Sequence, residues 1–142
     1  MATKDFTKGD RVTLIRDWND KGAVYFNQAI VFSCGAKRMI LTDEETGEEL
    51  GRNYSPKLAA NGALGTRPRV EGAELIAEAF AVAAASQARR IARFEDRATS
   101  PDVYPTAAAN AVSARNETLR VLSQADCDAE TEASVAARRA AR

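Results

Sequence analysis

The chain is 142 residues long with 45% hydrophobic residues, enough for one ordinary domain or a small domain with a helical extension. Twenty basic and twenty acidic residues cancel, so no global field gathers polyanions, and a dedicated non-specific DNA coat is disfavoured. Histidine is absent, which removes the usual base of hydrolytic triads, the usual proton shuttle near neutral pH and the commonest metal ligand.

Residues 6–54 form the only stretch dense in β-branched and aromatic side chains, and they read as four short strands on glycine turns. Arg11 to Arg16 alternates Val12 and Leu14 with polar positions, the period of a half-buried strand. Trp18 to Gly22 reads as a turn, with Gly22 free to take a positive φ. Ala23 to Phe32 is the longest strand. Val24, Phe26, Gln28, Ile30 and Phe32 fall on one face and Tyr25, Asn27, Ala29 and Val31 on the other, so either one end bends or both faces are covered. A hairpin over Ser33 to Lys37 leads to a third strand, Arg38 to Thr42, and an acidic turn leads to a fourth, Glu49 to Tyr54. Such strands bury too little as an open ribbon, and curling into a small barrel removes the exposed edges.

Phe6, Gly9-Asp10, Val12, Ile15-Arg16 and Lys21-Gly22 resemble the opening of a KOW or Src-homology-3-like small barrel, in which a Gly-Asp pair starts the first strand and a Lys-Gly turn leads into the second. The resemblance spans residues 6–54 and implies a small barrel there.

After Tyr54 the composition shifts to alanine, arginine and glutamate. Residues 57–72, with Gly62, Gly65, Gly72 and Pro68, read as a linker without apolar periodicity. Ala73 to Arg97 is a helix with Leu75, Ile76, Ala79, Phe80, Ala83, Ile91 and Phe94 as its apolar stripe. Pro101 and Pro105 break it, and Thr106 caps a second helix running to about Gln124 with Val112, Leu119 and Leu122 on its apolar face. Asp126 or Asp128 caps a third, whose acidic first turn and basic last turn (Arg138, Arg139, Arg142) suit the helix dipole. The expected fold is therefore α+β, an N-terminal antiparallel small barrel or curled sheet of about four strands (1–56), a linker (57–72) and two or three Ala-rich helices (73–142).

Nothing in the motifs points to catalysis. Walker-type and dinucleotide-binding glycine loops are absent, no metal or cofactor is expected, and the reading is not an enzyme. Cys34 and Cys127 lack a CxxC partner and suit a reducing compartment; with no apolar run of membrane length, the expectation is a cytoplasmic protein without membrane contact.

Binding candidates remain. Arg11, Arg16, Trp18, Lys21, Lys37 and Arg38 are candidates for one barrel edge, where an indole flanked by cations suits stacking on a base or anchoring a protein. The alternative for Trp18 is a lid over the barrel's open end. Arg89, Arg90, Arg93 and Arg97 form a second candidate patch, suited to phosphate or a carboxylate surface, or simply to the end of a helix. The leading expectation is a non-catalytic binding and assembly module with a protein partner and homo-oligomerisation. The alternatives are a nucleic-acid-binding accessory protein and a phage-type inhibitor or nucleotide-sequestering protein.

Overall fold

Two long strands carry the architecture. β1 (Arg11–Asn19) and β2 (Ala23–Cys34) pair antiparallel, with Arg11 opposite Ile30 and Arg16 opposite Tyr25, around a turn at Gly22 whose φ is 93°. The computed structural model describes residues 4–19 and 21–141; Asp20 of the expected turn and Arg142 of the expected last helical turn lie outside them. β3 (Met39–Asp43) pairs with the second half of β2, β4 (Glu49–Tyr54) with β3, and β5 (Gly65–Pro68) with β1, giving the order β4-β3-β2-β1-β5. β6 (Arg120–Leu122) runs parallel to Ala23–Tyr25. The helices are α1 (Gly72–Ala98), α2 (Ala107–Arg115) and α3 (Gln124–Ala140), so the chain is α+β with an N-terminal, largely antiparallel sheet.

Both faces of β2 carry apolar residues that are covered, except at Phe32, which is 58% exposed. On one, Phe6 closes over Val12, Leu14, Ala29, Val31, Met39 and Leu41. On the other, Ile15 and Val24 meet Ala79, Val82 and Ala83 of α1. The helix rests on its alanines, which let its backbone approach the sheet. Ile76 and Phe80, expected in the buried stripe, are instead exposed at 41% each.

Four expectations need correction. Residues 57–72 contain β5, whose buried Arg67 pairs with Glu78 of α1 at 2.5 Å, so this stretch is not a plain spacer. The second helix stops at Arg115 rather than near Gln124, and residues 120–122 become β6. The reason is an unfilled edge. β3 covers only the Ala29–Cys34 part of β2, and β6 takes the bare backbone groups of Ala23–Tyr25, which would otherwise lack partners. Trp18 lies in β1 rather than in a turn, because pairing with β2 continues past it to Asn19 opposite Ala23. Finally, Ser123 rather than Asp126 or Asp128 caps α3: its hydroxyl accepts from the Asp126 N–H while the Asp126 carboxylate accepts from the Ser123 N–H, a reciprocal capping box.

Candidate functional site

The six residues expected to share one edge are dispersed. β1 has β2 on one side and, over Val12–Ile15, β5 on the other, so only that part of it is interior to the sheet. Arg11 lies near its start and joins Arg69 on the Glu44 carboxylate, whose second oxygen accepts from Arg69 Nε at 3.0 Å. The Arg11 hydrogen bond, followed by that of Arg69, holds the Glu44 carboxyl below its ordinary value. Lys21 sits in the β1–β2 turn, and Lys37 and Arg38 are exposed on the β2–β3 hairpin. The twelve residues of β2 separate these two turns by about 40 Å. No single nucleic-acid strand-sized edge gathers them.

Arg16 is a framework residue. Its guanidinium lies 4.6 Å from the Tyr25 ring centre and 5.9 Å from that of Tyr54, donates to Tyr54 Oη at 2.8 Å and donates to Asn27 Oδ1 at 2.7 Å. Asn27, buried, donates onward to Gln124 Oε1 at 2.9 Å and so ties the sheet to the start of α3. Burial raises the Tyr25 phenol above its ordinary value, with Arg16 opposing.

Trp18 is an anchor between β1 and α3. Its ring meets Tyr25 edge-on at 5.7 Å, and its Nε1 donates to Glu130 Oε2 at 2.8 Å, while the other Glu130 oxygen pairs with Arg120. Below it Cys127 packs with Ala23 and Leu122, and burial raises that thiol above its ordinary value. Every described α3 residue from Thr131 onward is exposed. A cleft of about 350 Å³ opens between Trp18 and Thr131, Ser134, Val135 and Arg138.

The second patch is partly assembled. Residues 86, 89, 90 and 93 share one α1 face by helical spacing, and Ser86, Arg89, Arg90 and Arg93 line a cleft of about 290 Å³ with Asp17 and Leu64. Arg90 is buried, donates to Ser86 Oγ at 2.8 Å and pairs with Glu117 at 2.5 Å. Arg97 points elsewhere, its guanidinium 5.2 Å from the Tyr104 ring centre.

The partners Glu130 and Glu117 were not apparent from sequence, since each lies far along the chain from the residue it meets, Trp18 and Arg90 respectively. Ser86 had a signal, its i, i+3, i+4, i+7 relation to the arginines. Among the described residues no group of three or more His, Cys, Asp or Glu is placed to hold a metal, and no helix is long and apolar enough to cross a membrane. Searched against protein-family models, curated proteins and solved structures, the chain matches none.

Proposed function

We propose that the protein is a non-catalytic binding and assembly module that completes itself by pairing α3 with α3 of a second copy. The observation that carries this reading is the isolation of α3: of its 17 residues, only Cys127 is buried. In proteins most helical stability comes from tertiary packing of one face rather than from propensity. Its outward side, opposite Cys127, carries Ala129, Ala133, Ala136 and Ala140, all exposed, which permit close approach of another backbone.

Charge selects the partner and its direction. Asp126, Asp128, Glu130 and Glu132 fill the first half of α3, and Arg138 and Arg139 the second. A two-fold axis across the alanine stripe sets the acidic half of one helix beside the basic half of the other, with Glu132 facing Arg139 in both directions. Surface area agrees. The chain exposes 8,981 Å² at 15.3 kDa, against about 7,100 Å² for a compact monomer of that mass. The excess accommodates an interface of about 800 Å² per partner.

Light scattering after size exclusion, across a dilution series, tests this. The expected mass is twice 15.3 kDa at high concentration, with Ala133→Glu converting it to monomer and leaving the far-UV spectrum of the sheet and α1 intact. Arg139→Glu weakens association and adding Glu132→Arg restores it. A monomer at every concentration up to the millimolar range overturns the proposal.

A further inference from the structure

We infer that the Ser86–Arg89–Arg93 cleft on α1 is a binding site for a phosphate group, free or as the terminal group of a small monoester. The cleft holds three guanidinium groups and a single carboxylate, Asp17. Adding Glu117, which Arg90 already engages, leaves three positive charges against two negative. Arg89 and Arg93 have no ion-pair partner among the described residues, and Glu95, the acid two residues beyond Arg93, is taken by Arg115. Two unpaired arginines four apart on one helix face repel each other. The helix dipole does not account for them, because its effect is confined to the last turn, whereas Arg89 lies nine residues before Ala98, the last residue of α1.

The arrangement matches what a tetrahedral dianion requires. Arg89 and Arg93 line the cleft, Arg93 with its guanidinium 5.3 Å from the Phe94 ring centre, and their forked N–H donors suit bidentate contact with separate phosphate oxygens. Ser86 is buried and its oxygen already accepts from Arg90 Nη1, so the hydroxyl hydrogen remains to donate. Arg90 serves the framework, since it holds that hydroxyl and, through Glu117, pins the chain between α2 and β6. The Nε atom of Arg90 is buried and has no hydrogen-bond partner. Leu64 provides an apolar wall beside the charges, which favours a ligand with a carbon skeleton attached to the phosphate.

Titration of the full chain with inorganic phosphate, followed by amide chemical shifts at constant ionic strength, reads the site directly. The expected result is saturable shifts confined to residues 86–93, 17 and 64, unmatched by chloride. Arg89→Gln and Arg93→Gln, both on exposed positions that leave the fold intact, each weaken binding by about tenfold or more. Arg97→Gln, outside the cleft, leaves it unchanged. A nucleoside monophosphate binding more tightly than phosphate, with added shifts at Leu64, identifies the monoester as the ligand; equal affinities identify free phosphate. Absence of saturable shifts, an Arg89→Gln/Arg93→Gln double variant that binds as before, or binding seen only with long polyanions such as duplex DNA overturns the inference. α3 lies outside this cleft, so the result is independent of whether the chain dimerises.

Discussion

In the sheet and α1, side chains from distant parts of the chain share two clusters, one under Phe6 and one between Ile15, Val24 and the alanines of α1. In α3 the helix is well begun, with a capping box and an acidic first turn, but Cys127 is its one buried residue. The difference separates forming an element from keeping it. Capping and propensity decide where α3 starts, while the sheet is held by burial that no single strand possesses.

The largest test of that contrast removes core volume on one side and apolar surface on the other. Leu14 is 1% exposed, and Leu14→Ala is expected to cost about 2–5 kcal/mol through lost transfer energy and the cavity left behind. Val135, on the free part of α3, is 39% exposed, and Val135→Ala is expected to stay within about 0.5 kcal/mol. Chemical denaturation of both variants measures this. Equal losses would mean that α3 and the sheet share one core.

A second test strikes the junction of the two regions. Gly22 has a φ of 93°, and a β-carbon there would lie 3.0 Å from the Thr118 carbonyl oxygen and 3.3 Å from Glu117 Cβ, on the segment leading to β6. Gly22→Ala combines backbone strain with displacement of that segment, at roughly 1–3 kcal/mol. The hydrogen bond from Arg120 N–H to the Gly22 carbonyl ties the same turn to β6. Amide exchange is therefore expected to rise at residues 118–122 as well as at the hairpin. A loss confined to the β1–β2 turn would show that β6 does not depend on it.

The same contrast explains what could be read in advance. The first four strands, α1 and the positive φ of Gly22 follow from local pattern: alternation, alanine content and turn glycines. β5 and β6 do not, because four and three residues carry too little periodicity, and their place is decided by which edges of β1 and β2 stand bare. Leu119 and Leu122 have helical spacing with Val112, yet the gain from filling the β2 edge exceeds that from extending α2. The arginine cluster was legible as a helix face. Its division was not: Arg90 finds Glu117 and becomes framework, Arg97 meets Tyr104, and Arg89 and Arg93 are left without an ion-pair partner among the described residues. Arg16 and Trp18 looked exposed because their partners, Tyr54 and Glu130, are distant in sequence.

If α3 depends on its cap more than on burial, Ser123→Ala acts locally. The hydroxyl that accepts from Asp126 N–H is removed, at about 1 kcal/mol. Fraying of α3 is expected in amide exchange, while exchange in β1–β2 stays as in the parent. Uniform destabilisation of both regions would contradict the separation.

The smallest effect expected is a pH dependence confined to the same cap. The Asp126 carboxyl is held below its ordinary value of 3.8, first by the Ser123 backbone N–H and then by its hydroxyl. A depressed carboxyl stabilises the folded form fully above its unfolded value and loses that contribution as pH falls through it toward the lower folded value. The α3 amides are therefore expected to keep their protection from neutral pH down to about 5, and to lose it as pH drops below 3.8. Glu44, whose carboxyl is likewise held below its ordinary value by Arg11 and Arg69, reports on the sheet, so residue-resolved exchange distinguishes the two. Asp126→Asn keeps an acceptor without the titration, and its α3 protection should be flat across the acid range. If the parent and Asp126→Asn lose α3 protection together as pH falls, the acid-sensitive contact lies outside the cap, and the proposed pairing of α3 along its outward alanines is the next contact to test.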